Sequence, residues 1–300
     1  MKNDIKKIET EILEIGYKDY GNLNDTPVIL LHGFPYDINA YNESAEILSK
    51  KGFRVLTPFL RGFGETKFKN ISTIRTGQQG AIAKDVIDFM DALKIPKAII
   101  AGYDWGGRTS CIVSALWSER ILGLVSVGGY TIQNILGNAE PLPPSMEQLY
   151  WYQYYFHTER GRKGLTKYRK ELCKLLWSEW SPTWKFDDEV FEKTAEAYDN
   201  ADFIEIVIHS YKHRYGILDG DEKYDEIEKR LANSPKINVP TIVLDPEVDG
   251  FVKLFGIDNC SAHFTGKFKQ VIVQGAGHNL PQEKPREFAE AIIELNEWIK

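Results

Sequence analysis

A carboxylate placed in a tight turn is the feature of this 300-residue chain that says most about its chemistry. Residues 102–108 read Gly-Tyr-Asp-Trp-Gly-Gly-Arg and directly follow the apolar run 98–101. Small residues around one exposed side chain, between a strand and a helix, are typical of a nucleophile elbow. Serine usually stands there, whereas a carboxylate such as Asp104 displaces a leaving group at saturated carbon and becomes an ester.

An ester on Asp104 needs a base that activates water for its hydrolysis. His278 is the candidate base, because it ends the glycine-rich loop 275–278 directly after the last strand-like run. The remaining histidines lack metal-ligand spacing with a partner, so we predict no metal site. These histidines are His32, His157, His209, His213 and His263.

The base in turn needs an acid that orients it. Asp249 is the candidate acid, on the loop that follows the apolar run 241–244. Asp245 and Glu247 lie on the same loop and remain alternatives. The order nucleophile, acid, histidine is that of hydrolases built on this elbow.

Short apolar runs alternate with helical patterns along the chain and predict the elements that hold these side chains. Two strand candidates lie within residues 8–20, and buried-type runs follow at 28–31, 53–56, 98–101, 121–127, 241–244 and 270–273. Helical patterns occupy residues 45–51, 76–93, 106–117 and 285–300. This alternation predicts an α/β fold with a mostly parallel twisted sheet covered by helices on both faces.

The pattern changes between residues 137 and 221, where no convincing strand occurs. This stretch begins near a proline-rich run, 141–144, and is dense in tyrosine and tryptophan. We predict a helical cap at 137–221, inserted into a core domain made of residues 1–136 and 222–300. Such a cap would lie over the carboxyl ends of the strands, where ligands bind in open α/β sheets.

The composition fits a soluble enzyme. Hydrophobic residues make up 43% and charged residues 27% of the chain, and the net charge of -6 argues against nucleic acid as a partner. Three widely spaced cysteines, Cys111, Cys173 and Cys260, fit neither a disulfide framework nor a zinc site. Without an apolar signal region or a membrane-length stretch, we expect no membrane partner and a cytoplasmic location.

Nearly the whole chain resembles the α/β-hydrolase superfamily. Its aspartate-nucleophile branch contains epoxide hydrolases, haloalkane dehalogenases and fluoroacetate-type haloacid dehalogenases. Besides the elbow, the turn His-Gly-Phe-Pro at 32–35 resembles the superfamily's oxyanion-hole loop. The resemblance implies that the backbone N–H groups of Phe34 and Trp105 stabilise the charge formed when water attacks the Asp104 ester.

The acid loop departs from the family pattern in one place. The family usually has glycine where Pro246 stands, and the register from that position puts the acid at Asp249. A second family position for the acid, after the strand ending at Val127, holds Gly128 and Gly129. That rival location is therefore removed.

The three activities of the aspartate-nucleophile branch differ in their leaving groups, so the residues of the predicted cap help to distinguish them. An alkoxide leaving an opened epoxide needs an O–H donor, for which tyrosine is suitable, whereas a halide needs only N–H dipoles and a haloacetate also needs cations. Tyr152-Gln153, followed by Tyr155-Phe156, resembles the first tyrosine motif of epoxide hydrolase caps, and residues 208–212 resemble the segment carrying the second tyrosine, Tyr211. Tyr154 is an alternative for the first position.

The leading hypothesis is an epoxide hydrolase without metal or organic cofactor. Asp104 attacks the oxirane while Tyr152 and Tyr211 donate to its oxygen, and Trp105, Gln153 and Tyr154 line the substrate pocket.

A dehalogenase is the alternative enzyme. However, Phe34 stands where many haloalkane dehalogenases have asparagine, and Trp105 stands where haloacid dehalogenases have arginine. Arg108 is then the arginine left near the elbow to bind a haloacid carboxylate, and we interpret it as structural. A non-catalytic small-molecule receptor of the same fold is the alternative from another class.

Overall fold

The computed structural model describes residues 4–135, 140–252, 256–257 and 259–300. Within them, nine strands form one sheet in the order β1-β2-β4-β3-β6-β7-β8-β9, with β5 paired to β2. The strands are β1 (Lys6–Glu9), β2 (Leu13–Tyr20), β3 (Thr26–Leu31), β4 (Phe53–Pro58), β5 (Lys67–Phe68), β6 (Ala98–Gly102), β7 (Ile121–Val127), β8 (Thr241–Pro246) and β9 (Phe268–Val273).

The sheet is mostly parallel, as predicted. Strands β3, β4, β6, β7, β8 and β9 pair in parallel, and β1, β2 and β5 add an antiparallel edge. Parallel strands covered on both faces need continuous apolar sequence, and every residue of β4 and β6 is buried. The two-residue strand β5 is too short to be recognised from its sequence.

Helices cover both faces of the sheet and form a further layer beyond it. They are α1 (Asn42–Ser49), α2 (Gln79–Ala92), α3 (Asp104–Leu116), α4 (Pro144–Glu147), α5 (Trp151–Phe156), α6 (Glu159–Lys167), α7 (Arg169–Trp180), α8 (Asp188–Ala195), α9 (Phe203–His213), α10 (Asp225–Ala232), α11 (Leu280–Glu283) and α12 (Pro285–Ile299). Helices α1 and α12 pack together, as do α2 and α3. Among the described residues, none of these helices is long and apolar enough to cross a membrane.

Residues 140–221, here called the helical segment, contain α4–α9 and turns but no strand. The predicted boundary at residue 137 lies outside the described residues. The rings of Phe156 and Tyr211 from this segment pack on Phe34, which follows β3, at centroid distances of 6.2 and 5.5 Å. The helical segment therefore lies over the carboxyl end of β3 and the neighbouring strand β6.

The start of α3 approaches the end of β3 too closely for a side chain. Asp104, the first residue of α3, has a backbone φ of 52°, which lies in the left-handed region. A Cβ on Gly106 would lie 1.8 Å from the carbonyl oxygen of Leu31, and one on Gly33 would lie 2.4 Å from the Cβ of Asp104. Glycine at both positions is what lets the helix start, the strand end and the loop meet.

We predict that Gly106→Ala destabilises the protein by about 3 kcal/mol or more, because backbone atoms must move to admit the methyl group. Gly107→Ala is the matched control, since its Cβ would come no closer than 3.3 Å to another atom, the carbonyl oxygen of Gly102. Urea unfolding of the two variants provides the comparison. Equal midpoints would contradict the close approach at the elbow.

Candidate active site

The carboxylate of Asp104 has different partners for its two oxygens. Oδ1 accepts a hydrogen bond of 2.7 Å from the backbone N–H of Phe34. Oδ2 lies 3.5 Å from Nε2 of His278. One oxygen is thus fixed by the loop after β3, while the other faces the imidazole.

The groups around Asp104 stabilise its ionised form. Burial opposes its ionisation, but hydrogen bonding and charge from His278 hold the pKa of its carboxyl below the usual 3.8. The charge of Arg108 and a hydrogen bond from the Trp105 backbone act in the same direction. Burial also opposes the cationic form of His278, yet the carboxylates of Asp249 and Asp104 raise the pKa of His278 to about 10. The pair is therefore ionised at neutral pH.

Asp249 is the acidic residue of its loop that contacts His278. Its Oδ2 lies 2.7 Å from Nδ1 of His278, and its Oδ1 accepts a hydrogen bond of 2.9 Å from the backbone N–H of Phe251. The second contact fixes the carboxylate on a loop that follows β8. His278 is thus held between two carboxylates, one at each ring nitrogen.

The two alternative acids have other partners. Asp245 accepts a hydrogen bond of 2.7 Å from the side chain of Gln270 on β9. Glu247 accepts one of 2.9 Å from the backbone N–H of Gly275, at the start of the loop that carries His278. Neither carboxylate contacts the imidazole.

The end of α7 joins the two loops that carry the acid and the base. The backbone carbonyl of Trp180 accepts hydrogen bonds from the backbone N–H groups of Gly250, at 2.9 Å, and His278, at 3.3 Å. The ring of Trp180 also packs on the imidazole at 5.0 Å. One peptide group of the helical segment therefore positions both loops.

Glu283 reinforces this junction and was missed by the sequence analysis. Its carboxylate accepts hydrogen bonds from the backbone N–H groups of Gly277, at 2.8 Å, and Asn279, at 3.1 Å, on either side of His278. The hydroxyl of Ser181, the residue after α7, donates to it at 2.7 Å. The only signal in the sequence is an acidic residue shortly after the histidine.

Tyr152 and Tyr211 face each other beside Asp104, on α5 and α9. Their ring centroids are 5.4 Å apart, and Tyr211 lies 5.7 Å from the ring of Trp105. Burial raises the pKa of both phenols, and the charge of Asp104 raises each further. Both hydroxyls therefore keep their protons and can act as donors.

The predicted pocket position of Tyr154 is wrong. Its side chain is 36% exposed, and its hydroxyl donates to the carboxylate of Glu147. Positions two apart on a helix differ in direction by about 200°, so Tyr154 points away when Tyr152 points inward. Gln153 is buried, but it contacts the hydroxyl of Tyr152 through its own amide, at 2.8 Å.

Arg108 and His32 lie near the elbow, but their hydrogen bonds go to residues other than Asp104. Nε of Arg108 donates to the carbonyl of Thr131 at 3.3 Å, which ties α3 to the chain after β7 and agrees with a structural role. Burial and the charge of Arg214 lower the pKa of Arg108 to about 9. His32 is buried, and its Nε2 accepts a hydrogen bond of 3.0 Å from the backbone N–H of Leu60.

The described residues contain no group of three or more histidine, cysteine, aspartate or glutamate side chains that could hold a metal ion. The predicted site of Asp104, Asp249, His278, Tyr152 and Tyr211, with Phe34 and Trp105, is instead brought together at the carboxyl ends of β3, β6, β8 and β9 and under α5 and α9.

A nucleophile elbow on a parallel sheet, with a histidine and an acid on later strand-end loops, defines a class of hydrolases, and sequence comparison agrees. A family model for the alpha/beta hydrolase fold matches residues 26–285. The chain belongs to this family and is a hydrolase.

Its relatives include proteins named epoxide hydrolases. The crystal structure of a candidate epoxide hydrolase from Klebsiella pneumoniae superposes with a TM-score of 0.95 at 43% identity, covering 98% of this chain and 97% of that one. Epoxide hydrolase A from Mycobacterium tuberculosis is 19% identical over 96% of this chain and 95% of its own length. Epoxide hydrolase 3 from Siraitia grosvenorii is 33% identical, over 33% of this chain and 31% of its own length.

We predict that Asp249→Asn lowers turnover by at least about 10²-fold, because the imidazole loses the carboxylate that orients it and stabilises its charge. Asp245→Asn is the matched control on the same loop and should change turnover little, since Gln270 and not His278 is its partner. Turnover of both variants is compared at equal content of folded protein, checked by circular dichroism. A greater loss in Asp245→Asn would show that the acid is assigned to the wrong residue.

Proposed function

We propose that the protein is an epoxide hydrolase that opens an oxirane to a vicinal diol through an ester on Asp104. The observation that carries the proposal is the pair of protonated tyrosines beside an ionised carboxylate nucleophile. Departing halide needs no proton, whereas an opened epoxide does. The named epoxide hydrolases among its relatives support the same reaction.

In the first step, Oδ2 of Asp104 attacks the less hindered carbon of the oxirane. The carbon–oxygen bond breaks, and its electron pair goes to the oxygen, which takes a proton from Tyr152 or Tyr211. Oδ1 is held by the Phe34 N–H and becomes the carbonyl oxygen of the ester. The products of this step are a hydroxyalkyl ester and one tyrosinate.

In the second step, His278 removes a proton from water, and the hydroxide attacks the carbonyl carbon of the ester. The negative charge develops on Oδ1, where the backbone N–H groups of Phe34 and Trp105 stabilise it. The bond between the ester carbon and the diol oxygen then breaks, and its electron pair goes to that oxygen. The diol oxygen takes the proton that the attacking hydroxide brought, so Asp104 returns to its ionised form and His278 keeps the proton removed from water. Asp249 stabilises the imidazolium that forms.

Alkylation itself prepares His278 for this second step. In the free protein the charges of Asp249 and Asp104 together raise the pKa of His278 to about 10, so the imidazole is protonated. The ester on Asp104 is neutral, and one of the two charges that raise this pKa is then gone. The proton of His278 can thus pass to the tyrosinate left by the first step, and the imidazole becomes a base.

The predicted segment 137–221 acts as a cap in this proposal. It supplies both tyrosines and closes the nucleophile beneath α5 and α9, with Tyr152 and Tyr211 almost fully buried. Exclusion of bulk water strengthens the hydrogen bonds to developing charge. No metal or organic cofactor is required, since every proton and electron pair moves between the substrate, water and these side chains.

We predict that His278→Gln stops the enzyme after alkylation, because Asp104 attacks without a base whereas the ester cannot be hydrolysed without one. Mass spectrometry of the variant after incubation with styrene oxide should show an adduct on the peptide containing Asp104. The wild type should show diol and little adduct, and Asp104→Ala should show neither. Bound substrate with an unmodified Asp104 in His278→Gln would refute the ester, and halide release from haloalkanes without diol from any epoxide would favour a dehalogenase.

The tyrosines are expected to act in the first step only. Tyr152→Phe and Tyr211→Phe should each slow alkylation, and the double variant should lose about 10²–10⁴-fold, which is the usual contribution of a general acid. Single-turnover measurements separate adduct formation from ester hydrolysis, which should change little in these variants. Tyr154→Phe is the control, because Tyr154 faces Glu147. Alkylation at the wild-type rate in the double variant would contradict the proposal.

A further inference from the structure

The side-chain amide of Gln153 lies between Tyr152 and Arg214, deep in the helical segment. Nε2 of Gln153 is 2.8 Å from the hydroxyl oxygen of Tyr152, and Oε1 is 3.4 Å from Nη1 of Arg214. Gln153 is 1% exposed and Arg214 is 7% exposed. The three side chains thus form a continuous row of polar groups away from water.

Arg214 fixes which way this row is oriented. A guanidinium has donors only, so the amide atom that faces it must be the oxygen. The NH₂ group of Gln153 consequently faces Tyr152 and donates to its hydroxyl oxygen. Because that oxygen accepts the amide proton, its own proton is directed elsewhere, toward Tyr211 and the space above Asp104.

Arg214 itself is held by the second tyrosine. It follows the last residue of α9, and its Cζ lies 4.7 Å from the ring centroid of Tyr211, a cation–π contact. Its charge opposes the effect of burial on both phenols and lowers the pKa of each. Arg214 therefore contacts Tyr211 directly, through the ring, and is linked to Tyr152 through the amide of Gln153.

We propose that Gln153 and Arg214 are positioning residues for proton donation, which set Tyr152 as a donor to the substrate oxygen. The inference builds on the proposed epoxide opening, and it assigns a role to two side chains that do not touch the reacting atoms. A phenol whose proton is bound to a protein acceptor cannot protonate an alkoxide without first breaking that bond. The contacts of Gln153 with Arg214 and Tyr152, here called the relay, remove Gln153 as an acceptor of the Tyr152 proton before the substrate arrives. The neighbour that remains is the Tyr211 hydroxyl, itself a proposed donor to the substrate oxygen.

The sharpest test is Gln153→Glu, which keeps the shape of the side chain and reverses the hydrogen bond. A carboxylate at this position accepts from both neighbours, so Tyr152 donates to it, while the contact with Arg214 becomes an ion pair. We expect alkylation to slow by about tenfold or more, with Tyr211 left as the remaining donor, and ester hydrolysis to be unchanged. Lowering the pH until the introduced carboxylate is protonated should restore part of the alkylation rate, because the carboxylic acid then donates again.

Three further variants separate positioning from structure. Gln148→Glu adds the same charge to an exposed residue of the same segment and should leave both steps unchanged. Arg214→Met keeps an unbranched side chain against the Tyr211 ring but frees the Gln153 amide to turn, so alkylation should slow. Arg214→Lys keeps the charge and should recover part of the loss.

A second readout does not depend on any substrate. The ¹³Cζ resonance of Tyr152, assigned with Tyr152→Phe in tyrosine-labelled protein, should move toward the phenolate value in Gln153→Glu, where the hydroxyl donates to a carboxylate. If the resonance moves but the wild type forms no diol, the relay proposal stands and the proposed epoxide hydrolase activity is refuted. An unmoved resonance, or Gln153→Glu alkylating at the wild-type rate, would overturn the relay.

Discussion

The approach of α3 to the end of β3 is the constraint on which the site depends. Gly106 lies directly against the carbonyl of Leu31, and this contact fixes where the helix begins. Asp104 must then adopt a left-handed backbone conformation, which aspartate tolerates better than most residues. Its carboxylate accepts a hydrogen bond from the N–H of Phe34, so one packing contact positions both the proposed nucleophile and the amide proposed to stabilise its ester during hydrolysis.

The other catalytic loops are positioned by the helical segment as much as by the sheet. The Trp180 carbonyl binds the backbones of the acid loop and the base loop, and Glu283 connects the His278 loop to Ser181. A displacement of α7 would therefore disturb the contact between Asp249 and His278. The segment that carries the tyrosines thus contacts the loops that carry Asp249 and His278. In the proposed reaction, this contact couples the geometry of proton donation to that of water activation.

The sequence was sufficient for features that depend on local pattern. The strands β3 and β6 follow from apolar runs, and the turn at Asp104 follows from the small residues around it. Tyr152 and Tyr211, in contrast, were predicted from a resemblance to the caps of epoxide hydrolases. The acid was harder, because three carboxylates lie within five residues and only their tertiary partners separate Asp249 from the others.

Two features could not be read from the sequence at all. Tyr154 was placed in the pocket because the start and phase of α5 are not fixed by an aromatic-rich stretch, in which every face is apolar. The contacts of Gln153 with Arg214, and of Glu283 with Ser181, join positions 61 and 102 residues apart. No periodicity or motif encodes such pairs. The first forms when α5 and α9 pack together within the helical segment, and the second when the end of α7 packs on the core.

The ionisation states of Asp104 and His278 determine the order of the two proposed steps. While Asp104 is an anion, its charge helps to keep His278 protonated, with Nδ1 hydrogen-bonded to Asp249 and Nε2 3.5 Å from Asp104, so the imidazole cannot remove a proton from water. In the proposed reaction, esterification of Asp104 removes one of those charges at the moment when a base is first needed. A tyrosinate formed in the same step has a high proton affinity, because burial disfavours its charge, and it accepts the proton that His278 must lose. Burial disfavours a charge on each of these side chains. In the proposed reaction, each charge is therefore present only while a neighbouring group of opposite charge or a proton donor stabilises it, and this links alkylation to ester hydrolysis.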